Sequence, residues 1–443
     1  SYNPQNDNGG LVYKVKVNVY GQTSDTVAQA EDTYCKDNGF TTLSDCMLVM
    51  NNHETSVETA KTNISSKGTP DFSKTATTDE GLFTAEDDDG SSYYYRGAVK
   101  NNYVSFAGFT WRIIRRNGDG SIRLIYSGKT TSDTGTATTI GNSAFNEKYW
   151  DPTYVGYKYN EQFSLHDSNE TSEYSWFSNI QKYSFGTSYS FDESTKKFTL
   201  TGDIQQLTWK DNHDEIVKNN LYSCLNTECN ILYKVNNYQS DTRMIVQPIS
   251  YSSYNYADTL TNTTSSTIKS VIDTWYKNNL TSYTSYLSDE IFCNDRSIND
   301  GSGNLVYSTT TYGAYGRLAK KNVPSLKCKQ DSDKFTFSNE KAKLDYPVAL
   351  ITADEASFAG GLYGIVNNSY YLYNGQYTWT LSSSHFNSLS SHAGVWSILQ
   401  SGAMDGWDDT TSSFSVRPVI NLRSDVTISK GDGTALNPYV IQL

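Results

Sequence analysis

Residues 103–127, YVSFAGFTWRIIRRNGDGSIRLIYS, constrain the fold more than any other stretch of this chain: two β-branched and aromatic runs are joined by Asn117-Gly118-Asp119-Gly120. Asn-Gly between strand-forming residues is a strong hairpin signal, because both central positions of a tight two-residue turn take positive φ. The run therefore predicts two antiparallel strands, and YYYRGAV from Tyr93 predicts a third beside them. A sheet core starts here.

The length of 443 residues is about three domains' worth at roughly 150 residues each, and one or two large domains also fit. Apolar residues make up 37% and charged residues only 19%, so the polarity comes from Ser, Thr, Asn and Tyr, which excludes a disordered polyelectrolyte. With 35 Tyr and eight Trp, aromatic rings supply much of the volume that Leu and Met would otherwise fill. The formal charge of -12 disfavours nucleic acid or an anionic membrane surface as partner. No run approaches the ~18 apolar residues of a transmembrane helix, so this segment is expected to make no membrane contact. The opening SYNPQNDNGG has neither Met, a basic run nor an apolar run, and reads as a trimmed ectodomain.

Upstream of the hairpin, Tyr13, Val15, Val17 and Val19 alternate with polar residues and predict a half-buried strand over Leu11 to Tyr20. Val27, Ala30 and Tyr34, then Val57, Ala60 and Ile64, form two helical stripes. Residues 69–91 run polar into Glu86-Asp87-Asp88-Asp89-Gly90 and fit a linker or surface loop. That acidic run could bind calcium, but its spacing is not that of an EF-hand, and no cofactor is expected. Residues 160–260 are Tyr/Ser/Asn-rich and strand-like, whereas SSTIKSVIDTWYKNNL places Ile268, Val271, Ile272, Trp275 and Leu280 near one helical face with Ser265 or Ser266 as cap. A second short helix is expected over Tyr286 to Phe292, and PVALITADEASFAGG and later segments read as short strands and turns.

Six cysteines allow 15 pairings. Nearest-neighbour loop closure favours Cys35 with Cys46, Cys224 with Cys229, and Cys293 with Cys328, hence an oxidising compartment. Zinc, with His213 near Cys224 and Cys229, is the rival, but the tight CxxC pairs of structural zinc sites are absent.

SSYYYRGAVKNNYVSFAGFTWRIIRRNGDGSIRLIY, STIKSVIDTWYKNNL with DEIFCNDRSI, YGAYGRLAKKNVPSLKC, YPVALITADEASFAGG with YYLYNGQYTWTL, and SVRPVINLRSDVTISKGDGTALNPYVI resemble a family of surface proteins from gut-associated Gram-positive bacteria. Its C-terminal part resembles a C-type-lectin-like domain of unknown function, distantly similar to formylglycine-generating enzymes and to variable proteins diversified by retroelements. The resemblance covers residues 90–155 and 262–443 well. It implies an α+β fold: a small N-terminal α/β segment over 1–90, a C-type-lectin-like domain over 91–159 and 261–443, and a β-rich insertion over 160–260. It implies no activity, and the cysteines with which formylglycine-generating enzymes handle copper and oxygen have no counterpart after Cys328.

Catalytic motifs are missing: there is no GxSxG, HExxH or GxGxxG, and GKTT at 128–131 lacks the upstream Gly of a phosphate loop. His385 and His392 share the loop-like run TLSSSHFNSLSSHAGVW, where a metal site with Asp405 or Asp408 is conceivable but solvent-exposed, ligand-free histidines are the stronger expectation. Residues 377–414 mix Tyr377, Trp379, His385, Phe386, His392, Trp396, Trp407 and Phe414 with small polar residues, like a paratope. Trp379 and Trp396 are expected in the core. His385, Phe386, His392, Asp405, Trp407 and Asp408 are the candidate ligand-binding residues. The leading expectation is an extracellular, cell-surface, non-enzymatic adhesin that binds a glycan or protein on host or neighbouring cells. The alternatives are a filament or pilus subunit assembled by strand complementation through Leu11 to Tyr20, and a hydrolase of surface polysaccharide.

Overall fold

The computed structural model describes residues 34–149, 152–160, 256–300, 309–387 and 392–443, together with the backbone of several strands between 173 and 250. The strand expected over Leu11 to Tyr20, and all but the last residues of the helix after it, lie outside the described residues. The chain is α+β, with more sheet than helix.

The first sheet grows from the hairpin. Its strands β1 (Asp79–Glu86), β2 (Ser91–Gly97), β3 (Tyr103–Phe106), β4 (Phe109–Arg116) and β5 (Ile122–Tyr126) centre on β4, which pairs with β2, β3 and β5. Val419–Leu422 extends the sheet beyond β5, and Tyr439–Ile441 runs parallel to β3 with Ile428–Lys430 outside it. The turn differs from the expected tight one. Asn117 N–H donates to Ser121 O at 2.8 Å and Gly120 N–H to Asn117 O at 2.9 Å, and positive φ falls at Gly120 alone, at 94°. A longer loop with a single left-handed glycine is the next hairpin solution. Gly118 is needed for closeness instead: a Cβ there would lie 2.4 Å from Asp87 Oδ1.

β1 corrects the linker expected over 69–91. It pairs with β2 along its length, and both Leu82 and Phe83 are buried, so a segment that looks polar hides these two apolar residues on the sheet. The acidic run forms the β1–β2 turn, closed by Asp87 N–H to Gly90 O at 2.8 Å.

Helix α1 (Leu43–Val49) starts where the Thr42 hydroxyl accepts from Asp45 N–H at 3.1 Å, and it buries Leu43, Cys46, Met47, Leu48 and Val49. Helix α2 (Val57–Ser66), capped by Ser56, buries Ala60 and Ile64 as their spacing predicts. Helix α3 (Thr267–Asn279) has Ser266 as cap and buries Ile268, Ile272 and Tyr276, but Val271 is exposed. No helix covers Tyr286 to Phe292: a 3-10 helix ends at Tyr286, and Ser288 N–H then bonds to Asn421 O at 2.8 Å, drawing the chain onto the first sheet. Conversely, ADEASF within the strand-like 347–361 forms helix α4 (Ala353–Phe358), started by a capping box between Thr352 and Glu355.

The second sheet orders Ile298–Asp300, β6 (Thr309–Tyr312), β7 (Thr378–Asn387), β8 (His392–Ile398) and β9 (Met404–Asp409), all antiparallel. The run read as loop-like is thus largely strand. Three of its serines are buried and satisfied: Ser382 Oγ accepts from Ala353 N–H at 2.9 Å, Ser383 Oγ donates to Val155 O at 3.1 Å, and Ser384 Oγ donates to Gly406 O. Hydroxyls that would mark a loop in water here serve a strand covered on both faces.

Trp111, Trp379 and Trp396 are fully buried. One apolar cluster joins α1, α2, α3 and both sheets. Between 173 and 250, Glu173–Ser175, Tyr222–Cys224, Ile231–Asn236 and Arg243–Ser250 form a four-stranded antiparallel sheet. Lys182–Phe185 pairs with Ile204–Thr208, and Tyr189–Asp192 with Lys197–Leu200.

Candidate functional site

Strand β9 is an edge of the second sheet among the described residues, and it carries Trp407 outward at 44% exposure. The strand can hold this side chain because its neighbours are fixed. Asp405 Oδ1 accepts from Gly406 N–H at 2.7 Å and Trp407 N–H at 3.3 Å, and Met404 is bonded on its open side by Leu362 and Gly364. The indole is clamped as well: Nε1–H donates to the Tyr363 hydroxyl at 3.1 Å, the His385 ring lies 4.2 Å away, and Tyr315 meets it edge-on at 5.7 Å. Beneath, Trp396 touches both Tyr315 and Tyr363. Ile365 and Val366, 50% and 63% exposed, extend the apolar surface from the Tyr363 loop.

Of the sequence-predicted residues, the structure brings together His385, Asp405, Trp407 and Asp408. His385 is buried, not solvent-exposed: its Nδ1 pairs with Gly406 O at 3.1 Å, and its ring lies on Gly394, where a Cβ would come within 2.1 Å of Cε1. It supports Trp407 from below. Phe386 is buried at 4% exposure and belongs to the core, because its neighbour in the strand, and not Phe386 itself, lies under the surface indole. Asp408 is partly buried and accepts from the Ser397 hydroxyl; burial, with Asp405 beside it, pushes its carboxyl up to about 6. The side chain of His392 lies outside the described residues.

Tyr315 and Tyr363 were not foreseen. The available signal for Tyr363 is GGLYGIV at 360–366, where apolar residues sit between glycines.

A second polar centre lies between the sheets. Glu355 Oε1 is 3.0 Å from Arg115 Nε and 2.7 Å from Arg123 Nε, and Arg115 Nη1 also reaches Asp87 Oδ2 at 2.7 Å. Arg317 joins Asp295 and Asp354 at 2.7 and 2.8 Å. These groups line a cavity of about 30 Å³ with Asp88, Asp89 and Glu290, space of water size. Burial pushes the Glu355 carboxyl up, but Arg123 and Arg115 hold it below the usual range. Glu290 has the opposite balance: burial and then Asp119 and Asp89 raise it to about 8. The run proposed for calcium is engaged here, Asp87 by Arg115 and Asp88 by Lys334 at 3.0 Å, and no group of three metal-ligating side chains occurs among the described residues.

Cys35–Cys46 and Cys293–Cys328 are disulfide-bonded, as the spacing predicts, and are consistent with an extracellular protein. The expected Cys224–Cys229 pair falls outside the described residues. No described helix is long and apolar enough to cross a membrane. Comparison with protein-family models, curated proteins and solved structures found no match to this chain.

Proposed function

We propose that the chain is a non-enzymatic, extracellular binding protein of C-type-lectin-like architecture that recognises a neutral glycan on host or neighbouring cells through the patch around Trp407. The observation that carries this reading is a large aromatic ring held rigid yet 44% exposed on a sheet edge. A half-exposed indole locked by a hydrogen bond and two ring contacts loses little freedom on binding, which is what makes aromatic anchors effective. Its face suits the C–H face of a sugar ring, and the carboxylates of Asp405, Asp408 and Asp409 in the same strand suit hydroxyl donors. Those acids, with a net charge of -12, oppose sialylated or sulfated sugars.

A glycan array probed with the full chain tests the reading. Binding confined to neutral glycans supports it. A preference for sulfated or sialylated glycans, or capture of only non-glycosylated protein from mucus, contradicts it.

A further inference from the structure

Away from the Trp407 patch, a small aromatic cluster stands apart from the main core. Phe358 meets Phe72 edge-on at 5.1 Å and Tyr94 at 4.6 Å, while Phe83 stacks on Tyr94 at 6.0 Å. Beside it opens a cavity of about 460 Å³, within the size range of small-molecule sites. Phe72, Tyr94 and Phe358 contribute its aromatic wall, and Pro70, Val323 and Pro324 its apolar sides.

Two polar features are unanswered within the protein. Tyr94 is 1% exposed, yet its hydroxyl has no hydrogen-bond partner among the described residues. A buried hydroxyl without a partner is costly, and such a group in a native fold calls for an explanation. At the rim, Lys321 is exposed and has no ion-pair partner among the described residues; it is the last residue of a helical segment, Gly316–Lys321, whose cap Asn322 is in the left-handed conformation, φ 52°. The rim's carboxylate, Asp71, is already matched by Lys74 at 3.2 Å and by the Ser73 hydroxyl at 2.6 Å. The uncompensated charge at the mouth is therefore positive.

We infer that this cavity binds a small aromatic carboxylate, with its ring against Phe72, Tyr94 and Phe358 and its carboxylate answered by Lys321. The ring would complete an edge-to-face aromatic cluster that is open on one side. A carboxylate supplies the strong acceptor that a lone ammonium favours. This site does not depend on the proposed role of Trp407.

Calorimetric titration of the full chain with 3-phenylpropionate and with its neutral amide is the test. The expected result is saturable one-to-one binding of the acid, weakened about tenfold both in the amide and in Lys321→Ala, the loss of one charge-assisted contact. Val323→Trp, at a 60% exposed position where folding tolerates a larger side chain, closes the mouth and abolishes it. Trp407→Ala leaves it unchanged. No saturable binding, equal affinity for acid and amide, or wild-type affinity in Val323→Trp overturns the assignment.

Discussion

Arg115, Arg123 and Glu355 answer one another's charges inside the molecule, whereas Trp407 holds a comparable density of contacts while turning much of its ring to solvent. Both centres are rigid, and both link separate elements: the ionic one ties β4, β5 and α4, the aromatic one ties β7, β8, β9 and the loop at Tyr363. They differ in what is left over. In the ionic centre the carboxylate of Glu355 meets two guanidiniums and the Thr352 N–H at 2.9 Å, and the remaining space is of water size. In the aromatic centre the bonds are made underneath, and the outer face has none among the described residues. A network that closes on itself specifies the fold; a rigid network with one open face is available to a partner.

The largest effect expected from breaking this contrast is that of Glu355→Ala. It leaves Arg123 buried without its carboxylate and removes the capping box of α4, so the cost is about 3–5 kcal/mol in urea unfolding. A loss under about 1 kcal/mol would show that the ionic centre does not hold the sheets together. Phe386→Ala comes next, at about 3 kcal/mol, because the ring is 4% exposed in a packed core. If Phe386→Ala instead unfolds like wild type and loses ligand capture, Phe386 is a surface residue after all.

The same residues show what could be read from the chain. The hairpin, α2, α3 and two disulfides follow from local signals: a turn sequence, an apolar stripe with its cap, a short loop between cysteines. The second half of β7, after the strand-like YTWTL, did not, because SSSH is polar in water and is strand only when both sides are covered and each hydroxyl finds an acceptor or donor, as Ser382, Ser383 and Ser384 do. Nor did α4, whose six residues carry too little periodicity for a helix, though Thr352 and Glu355 spell its capping box. In the candidate site Trp407 was legible as an aromatic among small polar residues. Its partners Tyr315 and Tyr363 were not, since they arrive from segments about 90 and 44 residues away in sequence.

A smaller effect separates the two centres by pH. In the folded chain Glu290 keeps its proton up to about pH 8, while the unfolded chain releases it near the ordinary value of 4.5. The folded state therefore binds more protons between those values, and the stability this group contributes is present at low pH and lost as pH rises through that window. Asp408, raised to about 6, adds to the decline over its lower part. Unfolding free energies from urea titrations should fall between pH 5 and pH 8 for wild type and fall less for Glu290→Gln. An equal fall in both proteins would mean that Glu290 titrates normally.

The smallest effect on stability, and the most direct test of the central claim, belongs to Trp407→Ala. The measurement is its melting temperature together with its signal on the neutral glycan array, both beside wild type. A free binding face predicts a melting temperature within a few degrees, a cost of about 1 kcal/mol or less, and loss of glycan capture corresponding to about 2 kcal/mol or more. Unfolding of Trp407→Ala, or undiminished capture by a folded variant, would contradict it.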